Sequence, residues 1–168
     1  RVFSNVSMEL GNPGFGRSEK TVIVPGSLVC HPGGLYYTAL NTEIFIRIWK
    51  GVLKDGSYLE TDWTVKCDPD AVFMPSRLRQ HVDRYLRSKH MHSGHPVYLN
   101  NCKDGTHGPM EVVSRGGMQA FGDGMWLCEA ELQHEFKIYG EDVFLRHCML
   151  ILGVEKFDDF SLLFETVC

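Results

Sequence analysis

The sequence predicts an α+β fold: a single domain in which an antiparallel β-sheet is packed with two main α-helices, preceded by an irregular N-terminal arm. Three observations lead there. Several short segments alternate apolar and polar residues with period two, two longer segments carry apolar residues at helical spacing, and the order is strands, helix, strand, helix, strand. A chain of 168 residues fits one domain, and at that size roughly two-thirds of the unfolded surface can be buried. Ten Phe, six Tyr and three Trp within a 43% hydrophobic composition supply a core without metal or disulfide staples.

Residues 1–20 hold Asn12-Pro13-Gly14 and Gly16, which punctuate a chain and build no element, so they read as the arm. Residues 21–168 read as the globular part. Thr21–Val24 is a short β-branched run closed by Pro25-Gly26, and Leu28–Cys30 resumes it before Pro32-Gly33-Gly34. Glu43–Trp49 reads as the best strand, with Ile44, Ile46 and Ile48 on one face. Asp55-Gly56 then signals a hairpin turn, and Tyr58–Lys66 would pair back. A helix entered at Pro75-Ser76 presents Leu78, Val82, Tyr85 and Leu86 as one stripe. Pro96–Leu99 reads as a strand, residues 100–124 as a long Gly-rich connection, and Met125–Phe136 as a strand. Glu141–Leu152 is the second helix, opened by two carboxylates that suit its dipole, and Phe160–Val167 is the closing strand.

A net charge of −4 gives no whole-chain field for nucleic acid. No apolar run approaches the about 20 residues that span a bilayer. The chain opens on Arg1 with no leader pattern, and we expect residues to precede it. Six cysteines, at 30, 67, 102, 128, 148 and 168, never fall as Cys-x-x-Cys. We expect them reduced, since a buried free Cys packs as a small hydrophobe. The sequon Asn5-Val6-Ser7 is by itself weak evidence of export.

Motifs for chemistry are sparse. No nucleophile elbow, Ser-x-x-Lys, cysteine-protease signature or phosphate loop is present, and Gly14-Phe15-Gly16 lacks the further Gly and Lys. Asp68-Pro69-Asp70 and Glu129/Glu131 are paired carboxylates that read as a turn and a solvated strand face. His81, His90, His92, His95 and His107 cluster in sequence without a metal-ligand pattern, and read as solvent-facing. We therefore expect no catalytic residue, no metal and no cofactor. The stronger signal is electrostatic. Arg77, Arg79, Arg84, Arg87 and Lys89 face only Asp83, while residues 129–168 hold nine acids against three bases. Such a split suits an anionic partner on one side and copies of the chain on the other.

Thr64-Val65-Lys66, the basic helix and Gly94-His95-Pro96-Val97-Tyr98, taken in order, resemble the middle of rhabdovirus matrix proteins. Cys128-Glu129-Ala130-Glu131-Leu132 is similar to that family's Cys- and Glu-containing strand, and Leu150–Lys156 to its last helix. The resemblance spans residues 42–168 and suits a plant-infecting or divergent member. It implies a structural, non-catalytic matrix protein of the virion that lies between nucleocapsid and envelope, and in the host cytoplasm or nucleus during infection. The implied partners are further copies of itself, the viral nucleoprotein–RNA complex, an anionic membrane surface and an envelope glycoprotein tail. On this reading Arg77, Arg79, Arg84, Arg87 and Lys89 face ribonucleoprotein or lipid. Pro13 and Phe15 in the arm, with Glu141, Asp142, Asp158 and Asp159, face neighbouring copies. Two alternatives stand beside it: a secreted disulfide-bonded binding domain, and a metallohydrolase using His90, His92 or His95.

Overall fold

The computed structural model describes residues 1–11, 18–89 and 92–165. In chain order the described elements are β1 (Phe3–Ser4), β2 (Glu9–Gly11), β3 (Glu19–Lys20), β4 (Val22–Ile23), β5 (Pro32–Gly33), β6 (Thr38–Ala39), α1 (Thr42–Asp55), β7 (Trp63–Cys67), α2 (Pro75–Lys89), β8 (Val97–Asn100), β9 (Met110–Ser114), α3 (Arg115–Leu132), α4 (Glu141–Ile151) and β10 (Glu155–Asp158). Short 3-10 turns follow α1 and α3. The class is α+β, as the sequence implies, and the structure refines its make-up.

Glu43–Trp49 lies within a helix, not a strand. Over so short a run the two periodicities compete. The longer window decides, because Phe45, Ile46, Trp49, Val52 and Leu53 recur at i, i+1, i+4, i+7 and i+8 and all join the main core. Asp55-Gly56 is accordingly no hairpin turn. Gly56 adopts φ 76° and donates its N–H to Val52 O, closing α1 with a left-handed cap.

A second correction falls on residues 100–136. The Gly-rich stretch contains β9 and the start of α3, and Met125–Phe136 is the second half of α3 followed by a 3-10 turn. Ser114 caps α3 by accepting from Gly117 N–H at 3.1 Å. The glycines permit close packing: a Cβ at Gly116 would lie 2.2 Å from the Gly94 carbonyl oxygen. The closing strand is also displaced, to Glu155–Asp158 from the expected Phe160–Val167; residues 166–168 lie outside the described residues. Leu28–Cys30 forms no strand.

The central sheet has the order β10-β8-β9-β7. β7 and β8 each pair antiparallel with β9, Cys67 opposite Met110 and Tyr98 opposite Val113. β10 pairs parallel with β8, Asp158 beside Asn100. Alternate residues divide the core: Tyr98 and Val113 pack with α1, α3 and α4, whereas Leu99 and Val112 pack with Leu78 and Val82 of α2. The sheet is thus covered by three helices on one face and by α2 on the other.

The expectation of reduced cysteines is overturned. Cys128 of α3 and Cys148 of α4, both fully buried, form a disulfide, and Cys102 is disulfide-bonded as well. Cys30 and Cys67 are free thiols. Within the expected arm, β1 pairs parallel with β4 and β2 antiparallel with β3. Thr21 ties these together by donating Oγ1–H to Val6 O at 2.8 Å while accepting from Met8 N–H.

Candidate functional site

Since β7 and β8 both run opposite to β9, and β10 runs with β8, three of the four strands point the same way. Their carboxyl ends deliver Asp68-Pro69-Asp70, Asn100-Asn101 and Asp158-Asp159 to one edge. Carboxyl-end crevices are where open sheets with parallel strands commonly hold ligands.

At that edge Asp68-Pro69-Asp70-Ala71 forms a hydrogen-bonded turn, Ala71 N–H donating to Asp68 O at 3.1 Å. Pro69 pre-sets the first turn torsion, and Asp68 N–H donates to Pro109 O. Two carboxylates are therefore held one residue apart at the end of β7. Asp70 stands at a cavity of about 550 Å³ that reaches under α2, with Arg77, His81, Met110 and Leu162 among its lining. A volume of that size lies within the ordinary range for small-molecule pockets.

The wall formed by α2 carries an oriented imidazole. His81 Nδ1 is 2.6 Å from Asp159 Oδ2, and Ser161 Oγ–H donates to Asp159 Oδ1 at 2.7 Å. Burial pushes the Asp159 carboxyl upward, but Ser161 and His81 outweigh it and hold it below the usual carboxylate value.

Behind Asp68 lies a buried charge cluster. Lys66 Nζ is 2.7 Å from Asp68 Oδ1, 2.5 Å from Glu141 Oε1 and 3.8 Å from Glu111 Oε2, and it donates to Gly108 O. The Phe45 ring lies 4.7 Å from the same nitrogen. Burial works to deprotonate Lys66, but Glu111 and Glu141 prevail and raise it above the usual lysine value. Glu111 is the opposite case. It is 1% exposed, neither carboxylate oxygen has a hydrogen-bond partner, and desolvation lifts its pKa well above the ordinary range despite Lys66. On the α1 side of β7 a second cavity, about 310 Å³, is lined by Phe3, Phe45, Trp49, Lys66 and Asp68.

The basic residues expected on α2 are all exposed. Arg77 lines the larger cavity, Arg84 comes within 3.9 Å of Asp159, and Lys89 pairs with Glu155 at 3.3 Å. Of the acids expected to meet neighbouring copies, Glu141 and Asp159 are buried partners of Lys66 and His81. Asp142 is half-buried, and Asp158 is exposed, paired with Lys156 and bonded by Asn100. Pro13 and Phe15 lie outside the described residues, as does His90. The remaining histidines of that cluster are not simply solvated: besides His81, His95 pairs with Glu155 and His107 with Glu165. Among the described histidines of the cluster His92 is the exposed one, and its ring accepts from Gly94 N–H. Glu129, read as part of a strand face, sits on α3 and pairs with Lys50 at 2.8 Å.

Asp68-Pro69-Asp70 reads in sequence as a turn. It is a turn, and the missed signal was its position directly after a strand whose carboxyl end opens on a cavity. Among the described residues no three His, Cys, Asp or Glu side chains converge to hold a metal unaided, and no helix is long and apolar enough to cross a membrane. No protein-family model, no curated protein and no solved structure matches the chain.

Proposed function

We propose that the chain binds a phosphate-bearing small molecule in this carboxyl-end cleft, with a divalent cation bridging the ligand to Asp70. The observation that carries the reading is the Asp68–Ala71 turn, which places Asp70 at a cavity whose other wall bears Arg77 and His81, while Asp68 is paired with Lys66. Hard cations such as Mg²⁺ are commonly held by one or two carboxylates, the remaining positions being filled by water and phosphate oxygens. Arg77 supplies a fork for phosphate oxygens. It sits in the first turn of α2, at the positive end of the helix dipole, which also favours anions. Phe73, Met74 and Leu162 add an apolar surface for a ring.

The same groups support a reaction. A cation and Arg77 would stabilise the charge that builds on the phosphate oxygens as the bond to the transferred group breaks and the phosphate leaves with the bonding pair. With Nδ1–H given to Asp159, Nε2 of His81 is the basic nitrogen, suited to take a proton from an attacking hydroxyl or water. The reading is transfer of a phosphate-linked group, which departs from the non-catalytic expectation.

Calorimetry with a nucleoside diphosphate, with and without Mn²⁺, tests it. Mn²⁺ should tighten binding about tenfold or more. Asp70→Asn, at an exposed position, should remove that gain, and Arg77→Ala should weaken binding with or without metal. Absence of binding to both nucleoside diphosphate and pyrophosphate in Mn²⁺ would reject the reading.

A second reading keeps the matrix-like role, with α2 as a docking face for a polyanion. The exposure of all five basic side chains favours it. The buried disulfide weighs against it, since such bonds persist in oxidising compartments and are rare in the cytosol. Charge reversal at Arg77, Arg84 and Arg87 should abolish salt-sensitive oligomers on that reading, and a monomer at every ionic strength would end it.

A further inference from the structure

We propose that Asn5 is an N-linked glycosylation site, a modification independent of the ligand reading above. The triplet Asn5-Val6-Ser7 has the acceptor pattern, with no proline at its middle position. Three structural observations turn that pattern into a site. The chain carries a disulfide between two fully buried cysteines, and Cys102 is bonded too, which places its folding in an oxidising compartment, where glycan transfer also occurs. Asn5 lies in the bend between β1 and β2, and Asn5, Val6 and Ser7 are all exposed. The local backbone is fastened from within: Val6 N–H donates to Ser4 Oγ at 3.2 Å, and Val6 O accepts from Thr21 Oγ1, a residue only 7% exposed. The triplet is thereby turned outward, so a bulky polar group can be added without displacing any core contact. Asn5 lines neither cavity.

The chemistry balances with one named co-reactant, a lipid-diphosphate-linked oligosaccharide. Nδ2 of Asn5 attacks the anomeric carbon, a C–N bond forms as the C–O bond to diphosphate breaks, and the amide gives up one proton. The lipid diphosphate leaves with the bonding pair, and nothing is oxidised or reduced.

The full chain, expressed behind a secretory leader in a eukaryotic host, tests the proposal. Both the medium and the endoplasmic-reticulum pool are analysed, so poor secretion still yields an answer. The expected result is a mobility shift removed by peptide N-glycosidase, with conversion of Asn5 to Asp in the mass spectrum of the released peptide. Asn5→Gln and Ser7→Ala should lose the shift, and Ser7→Thr should keep it. Unmodified Asn5 in both pools, in protein whose Cys128–Cys148 bond has formed, overturns the proposal.

Discussion

Lys66 Nζ lies 3.8 Å from the carboxylate of Glu111, a residue only 1% exposed, and still nearer to Asp68 and Glu141. One ammonium thus answers three carboxylates in a largely dry site. Removing it leaves uncompensated buried charge, which typically costs about 3–5 kcal/mol. Lys66→Met should therefore lower unfolding free energy by that order in urea titrations, whereas Glu111→Gln should cost much less. Equal losses would contradict the cluster's assignment.

The pH response of Glu111 has a definite sign. Its carboxyl is held mainly by burial above the ordinary 4.5, so between that value and the folded pKa the native state binds more protons than the unfolded chain. Stability from this group is full at low pH and is lost as pH rises through the folded pKa. Glu111→Gln should flatten that part of the stability-against-pH curve.

Asp159 behaves inversely. Burial raises it, but Ser161 and His81 leave it below its ordinary 3.8. Its contribution is present above that value and fades as pH falls through the lower folded pKa. Asp159→Asn should therefore unfold less steeply in acid than the parent, below about pH 3.8, when followed by Trp fluorescence.

Loss of the buried disulfide should weaken the helical layer without dismantling it. The Cys128–Cys148 bond joins residues 20 apart, and a loop of that size contributes about 3 kcal/mol. Replacing both by Ala should lower the midpoint of thermal unfolding accordingly, and an unchanged midpoint would show that the bond adds nothing.

Two glycines of α3 should differ sharply. Ala at Gly116 would meet the Gly94 backbone oxygen at 2.2 Å, whereas Ala at Gly124 would meet the end of the Leu152 side chain. Backbone cannot step aside and a leucine methyl can, so Gly116→Ala should lose about 3 kcal/mol or more and Gly124→Ala distinctly less. Chemical denaturation of the two variants decides it.

The elements legible in the sequence are those whose local pattern agrees with their burial. α2 and α4 show both stripe and terminal chemistry, and Val97–Leu99 is a short apolar run buried on both faces. α1 is hard to read locally because Ile44, Ile46 and Ile48 satisfy a strand template while the helical stripe needs residues as far as Leu53. α3 was hidden by glycines that read as loop punctuation and serve instead as contact points with Gly94, Val113 and Leu152. Of the candidate site, Arg77 and Asp159 were named from charge alone, for other roles. The pairing of His81 with Asp159 joins residues 78 apart and could not be read from local spacing.

The parallel partner of β8 is β10, which follows α4 in the chain, so Asn100 must wait for Asp158, 58 residues on. Pairings that close such long loops form slowly. A nascent or proteolytically trimmed molecule carrying everything through α4 would own the turn at Asp68 and the guanidinium of Arg77, yet its imidazole at position 81 would swing without an anchor. The crevice is in that sense completed by the last strand of the chain's central sheet, once β10 lies beside β8.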